Sequence, residues 1–189
     1  GRVAEDFKLT APLWAMDGDV EHVLAAIQGE GISLAELHAN RLDLSRSAID
    51  GLARMLEEYG CTVPIVRTQM RSPDSMGEVC ATATRLGARY LHVPAVQRSA
   101  QRSRWIEELG GLAAQADSEG LAVLLNNRRG SLAESAEELS AAVRDVGHPS
   151  VFAGYDPAEI VLAGGSAFYS TGLYKGPLRR CTHHVDLQD

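Results

Sequence analysis

Long apolar runs are missing from this sequence: none approaches the roughly 18 residues that a membrane helix requires. The N-terminal residues do not read as a secretory leader. Basic clusters are missing as well, since no Lys/Arg run exceeds two residues and the formal net charge is −7. Nucleic-acid binding by counterion release needs a basic footprint, so that class is disfavoured. The three cysteines, Cys61, Cys80 and Cys181, are odd in number and share no metal-like spacing. They fit reduced, packed thiols in a cytoplasmic protein. No Gly-rich phosphate loop appears: besides Gly110-Gly111 the one glycine pair is in "AGGSAF" (163–168), which follows a helix-like stretch and not a strand. A dinucleotide site is therefore not expected.

What is there is a core-forming composition, 45% hydrophobic and 23% charged over 189 residues, which suits one domain. A unit of helix, glycine and short apolar run recurs, marked by Gly31, Gly60, Gly87, Gly120 and Gly147 at spacings of 27 to 33 residues. Glycine just past a helix end supplies a left-handed cap. "DVEHVLAAIQGEG" places Val20, Val23, Leu24 and Ile27 on one stripe, and "SRSAIDGLARMLEEYG" does the same with Ile49, Leu52, Met55 and Leu56 behind a candidate cap at Ser45. Ser135 with Glu138 has the spacing of a capping box.

Strands are expected near 8–14, 32–38, 62–67, 89–94, 121–126, 151–156 and 180–187. Repeated strand–helix units with right-handed crossovers build a parallel sheet, closed or open, and uniform units without a nucleotide loop favour the closed (β/α) barrel. Seven strands are visible where such a barrel has eight, so the chain reads as a single barrel domain over 1–189, incomplete at its C-terminal end. An unpaired edge there is expected to be covered either by a homodimer or by further C-terminal residues that close the barrel.

The active site of a β/α barrel lies at the C-terminal ends of its strands. Here those ends carry Trp14, then Glu36 and His38, Arg67, His92, Asn126 with Asn127 and Arg128, Asp156, and finally His184, Asp186 and Gln188. Any one of these fits a solvated terminus or a helix cap. Their convergence points to a polar pocket.

Several stretches resemble the xylose-isomerase-like TIM-barrel superfamily of sugar isomerases, epimerases, dehydratases and AP endonucleases. "EGISLAEL" is similar to its second strand, which ends in a glutamate, here Glu36. "ATRLGARYLHVPA" resembles its fourth unit, "LAVLLNNRRGSLAESAEEL" its fifth, and "VGHPSVFAGYDPAEIVLAGG" with "CTHHVDLQD" its sixth and seventh. The resemblance implies a divalent metal, Mg, Mn or Zn, held by Glu, Asp, His and Glu from strands five to eight. Against that pattern Asn126 stands at the fifth-strand glutamate, Asp156 keeps the sixth-strand aspartate, and Glu159 replaces the histidine three residues on. Asp186 falls at the seventh-strand ligand, and a shifted alignment uses His183 with Asp186, or His184. The metal site is therefore expected to be degraded or lost.

The expected function is an isomerase- or epimerase-like enzyme moving protons on a small sugar, polyol or related hydroxy-carbonyl compound. Glu36, Asp156, Asp186 and His184 are the candidate catalytic groups. Trp14, His38, Arg67, His92, Asn126 and Arg128 are the candidate substrate-binding groups, with Trp14 stacking on a sugar face and the arginines gripping a carboxylate or phosphate. Plainer roles exist beside these: Glu36 and Arg67 neutralising one another, His92 as a hydrogen-bonded barrel histidine, Trp14 as core. The alternatives are a non-catalytic binding or scaffold descendant, or a dehydratase or lyase on the same barrel. The partner expected is a small molecule, with neither nucleic acid nor membrane.

Overall fold

All five glycines that punctuate the sequence have positive φ, between 62° and 75°, a conformation that other residues adopt only with strain. Each ends one helix and turns the chain into the next strand. The computed structural model describes residues 10–13, 19–69, 73–162, 164 and 182–185.

The strands are β1 (Ala11–Pro12), β2 (Leu34–His38), β3 (Thr62–Arg67), β4 (Tyr90–Pro94), β5 (Ala122–Asn126), β6 (Val151–Tyr155) and β7 (Thr182–Val185). Between them lie helices α1 (Val20–Gly29), α2 (Arg46–Glu58), α3 (Pro73–Arg85), α4 (Arg102–Ser118), α5 (Ala136–Val146) and α6 (Pro157–Leu162). The seven strands form one parallel sheet in sequence order, as the alternating pattern predicts for a β/α barrel. Each expected strand contains an observed one.

Helix faces follow the sequence stripes with two corrections. Val23, Leu24 and Ile27 are buried, whereas Val20 in the first turn of α1 is exposed. Ser45 stands at the N-cap of α2, but its side chain makes no capping bond. Its backbone N–H donates to Asp43 Oδ1 instead, at 2.9 Å. The capping box of α5 is present in both directions between Ser135 and Glu138.

The main core lies between sheet and helices. Ala35, Leu37, Val63, Val66, Leu91, Val93, Val123, Leu125, Val151, Ala153 and Tyr155 supply its sheet side. Fully burying one such Val or Leu contributes roughly 1.5–3 kcal/mol. Ile65 and Leu124 are also buried but lie outside that cluster, on the opposite sheet face.

One irregularity decides what that opposite face carries. Leu34 pairs with Thr62, yet Glu36 pairs with Ile65, so β3 has one extra residue in the interval that includes Pro64. Proline cannot donate to the ladder and is tolerated at such bulges. The extra residue explains why Val63 and Val66 both reach the helix-side core despite their odd spacing. It also swings Arg67 to the inner face, opposite His38.

Candidate functional site

Among the described residues, six of the eight buried polar ones gather at the C-terminal ends of the strands: Glu36, Thr68, His92, Asn126, Asn127 and Asp156. Buried polar groups are costly unless they are satisfied, and Glu36, Thr68, His92, Asn127 and Asp156 each have a polar partner. Thr10, just before β1, donates its hydroxyl to Glu36 Oε1 at 2.7 Å. Arg67 Nε donates to Glu36 Oε2 at 2.6 Å, a charge-assisted bond between β2 and β3. Arg67 Nη1 lies 3.5 Å from His92 Nε2 on β4. A guanidinium only donates, so this contact asks for an acceptor at Nε2, with the ring proton on Nδ1.

From there the array reaches β5 and β6 over a strand that has no side chain in the way. A Cβ placed on Gly154 would stand 3.4 Å from His92 Nε2 and 3.5 Å from Asn126 Oδ1. Glycine inside a strand marks such close approaches, so Gly154 is a site residue that the strand pattern signals. Thr10 carries no comparable sequence signal. Ile65, Leu124 and Phe152 share this face, each two residues before Arg67, Asn126 and Gly154 in its own strand.

The sixth strand end is held from its neighbour. Asn127 donates Nδ2–H to the Asp156 carbonyl and accepts the Asp156 N–H on Oδ1, both at 2.7 Å. The side chain thus continues the β5–β6 ladder by one rung. Asp156 Oδ1 in turn accepts from Ala158 N at 2.9 Å and Glu159 N at 3.2 Å, capping α6. Glu159 Oε2 accepts from the Arg129 backbone N–H at 2.7 Å, tying α6 to the loop after β5.

The other candidates are more dispersed. His38 is half-buried, and its Nδ1 accepts from Asn40 N at 3.3 Å within a 3-10 turn (Ala39–Arg41). Arg128 is exposed on the turn whose Gly130 carbonyl accepts from Arg98 N. That turn pairs antiparallel with the loop after β4 through Gln97 and Ser131, which stiffens the rim. Trp14 and Asp186 lie outside the described residues. The backbone of His184 pairs with Gly154, so of the two adjacent histidines it is His184 that stands level with Asn126 across the sheet. The structure brings Glu36, Arg67, His92 and Asn126 into one chain of side-chain contacts beside Gly154. It sets Asp156 at the rim and leaves Arg128 in solvent.

Asn126 offers an amide where the resemblance implies a carboxylate, and the Glu159 carboxylate is engaged by Arg129. Among the described residues no group of three or more His, Cys, Asp or Glu side chains is placed to hold a metal ion.

Solved structures of the same architecture include three instructive ones. The probable 3-DHS dehydratase AsbF of Bacillus anthracis superposes with a TM-score of 0.76 at 12% identity, over 95% of this chain and 72% of that one. The E. coli 3-keto-D-glucoside 4-epimerase YcjR gives 0.77 at 12% identity, over 97% and 80%. The IOLI protein, solved with a bound zinc atom, gives 0.71 at 14% identity, over 87% and 67%. At such identities these likenesses speak for the fold alone. No curated protein sequence matches the chain. The family profile described as xylose isomerase-like TIM barrel matches residues 22–189. With the parallel strand order and the polar layer at the strand ends, that match makes this chain a member of the xylose isomerase-like TIM barrel family.

Proposed function

We propose that this protein is an isomerase- or epimerase-type enzyme that moves a proton next to a carbonyl on a small sugar, polyol or related hydroxy-carbonyl compound. The observation that carries the reading is the continuous, partly buried array Thr10–Glu36–Arg67–His92, which ends in a histidine nitrogen close to Asn126. Neighbours of the fold include an epimerase and a dehydratase that act on such compounds by name. In the proposed reaction a base, for which His92 serves when its Nε2 exchanges the 3.5 Å contact with Arg67 for the substrate, takes the proton from the carbon beside the carbonyl. The C–H electron pair becomes the new C=C bond and the carbonyl π pair moves to oxygen, giving an enediolate. Returning the proton to the other face or the neighbouring carbon restores a carbonyl, with no co-reactant consumed. Asn126 and His38 are suited to hydrogen-bonding substrate hydroxyls.

The family's divalent metal does not fit the donors described. Asn126 is a neutral ligand, one oxygen of Asp156 caps α6, and Glu159 is turned to Arg129. We therefore read the metal position as degraded. The reaction is expected to proceed after treatment with a chelating resin.

Incubation with a panel of ketopentoses, ketohexoses and keto acids in D₂O, followed by proton NMR, tests this. The expected result is enzyme-dependent loss of one signal beside a carbonyl, slowed by His92→Asn about 10²-fold or more. No exchange on any of these compounds would refute the reading. A second reading, a binding descendant without catalysis, draws support from Glu36, both of whose carboxylate oxygens are engaged by neighbours. It predicts saturable sugar binding with no exchange.

A further inference from the structure

We propose that the bare backbone of Gly154 seats the reacting carbon of the ligand between His92 and Asn126, so that any side chain at this position shuts the ligand out. The inference rests on the reading of a small hydroxy-carbonyl pocket above and names the residue that shapes it.

The backbone does not ask for glycine here. Gly154 lies inside β6, in register with Asn126 on one side and His184 on the other. Its φ is not positive, unlike that of the glycines that cap the helices. Every residue type except proline suits such a strand position, and glycine there costs stability because it loses the most freedom on folding.

Packing does not ask for it either. Among the described residues, the atoms nearest to a Cβ built on Gly154 are His92 Cδ2 and Nε2, both at 3.4 Å, and Asn126 Oδ1 at 3.5 Å. These distances stand at the close end of ordinary van der Waals contact. Alanine therefore fits beside both groups as they stand, and the close approach by itself leaves the glycine unexplained.

What the missing methyl leaves is a position in touch with both polar ends of the site. The point a Cβ would take is 3.4 Å from the histidine nitrogen that serves as base and 3.5 Å from the amide oxygen. Reacting atoms about 3–3.5 Å apart are placed for transfer. A side chain at 154 would be a permanent occupant of the flank from which a ligand meets Nε2 and Oδ1 together. Without one, a carbon that carries a hydroxyl rests on the Gly154 backbone, its hydrogen toward Nε2 and its hydroxyl donating to Oδ1. The stability given up by a strand glycine is then the cost of an open seat.

The test compares Gly154→Ala with the wild type and with a control, Gly111→Ala, at an exposed position of α4 where a Cβ meets nothing within 4 Å. Urea unfolding midpoints are measured for all three proteins. Binding of D-xylulose and D-fructose is followed by ligand-observed NMR titration. Gly154→Ala is expected to unfold at a urea concentration no lower than the wild type, because it removes a strand glycine, yet to bind at least tenfold more weakly. Gly111→Ala gains helix propensity and is expected to bind as the wild type does. A clearly lower midpoint for Gly154→Ala would make Gly154 a packing glycine and overturn the proposal. Unchanged binding in Gly154→Ala, an equal loss of binding in Gly111→Ala, or no binding of either sugar to the wild type would overturn it as well. The D₂O exchange assay on the same sugars separates the two readings. Gly154-dependent binding without exchange removes the enzymatic reading and keeps this one; exchange at the wild-type rate in Gly154→Ala does the reverse.

Discussion

Asn127 shows how much a single amide carries at the end of a strand. It is buried, and its two bonds satisfy both backbone groups of Asp156. Asn127→Ala removes the side-chain partners of a buried N–H and a buried C=O, which should cost about 2–4 kcal/mol in urea unfolding. Asn127→Asp should be comparably harmful, because a carboxylate can accept from the N–H but cannot donate to the carbonyl. A loss below about 0.5 kcal/mol for both would mean that the rung contributes nothing. Cys80 provides a different residue-scale test. Burial, with a smaller push from Glu119, raises its thiol to about 11. Because the folded value lies above the unfolded one, this group's stabilisation is present below the ordinary thiol range and fades as pH rises through the folded value. At pH 8 the native protein treated with iodoacetamide should keep Cys80 unmodified, as peptide mass spectrometry would report, and should lose that protection in urea.

At the scale of one element, α5 joins local and tertiary signals. The Glu138 carboxylate accepts from the backbone N–H of Glu134 at 2.9 Å and of Ser135 at 3.3 Å, and pairs with Arg98 at 3.0 Å. Burial alone would raise its pKa, but these donors outweigh burial and hold the carboxyl below its ordinary value. A depressed carboxyl stabilises the fold above its unfolded pKa, and that contribution is lost as pH falls through the folded one. Glu138→Gln should therefore cost roughly 0.5–1 kcal/mol at pH 7, the size of an exposed ion pair with a helix-dipole term. The difference from wild type should vanish near pH 3 in parallel denaturation curves. A gap that persists in acid would point to packing instead of charge.

For the molecule as a whole, the parallel strands differ in how well they are covered. β4, β5 and β6 each have a strand on both sides, and Leu91, Val93, Val123, Leu125 and Ala153 among them are fully buried. β1 contributes two residues and, among the described residues, pairs with β2 alone. Native-state hydrogen exchange should be slowest in peptides covering 122–126 and 151–155, approaching the global unfolding free energy there. It should be faster by orders of magnitude around 11–12. Uniform protection across all strands would show that the edge near β1 is closed in solution, by this chain or by a second copy.

The repeat of helix, glycine and strand was readable without coordinates because its causes are local. A left-handed cap demands glycine within a residue or two of the helix end, and the Ser135–Glu138 box spans a single turn. The polar character of the strand ends was readable too, since each end is a contiguous run. Which of those ends meet was not. Glu36 and Arg67 are 31 residues apart, and the bulge in the interval containing Pro64 decides whether Arg67 faces the pocket or the helices. A similar shift between Ala153 and Gly154 sets His184, not His183, opposite Gly154. The engagement of Glu159 by Arg129 and of Asn127 by Asp156 likewise depends on two loops closing over one another. A strand's alternation names its two faces, but only pairing in the folded sheet sets the register, and a one-residue slip exchanges every side chain between them.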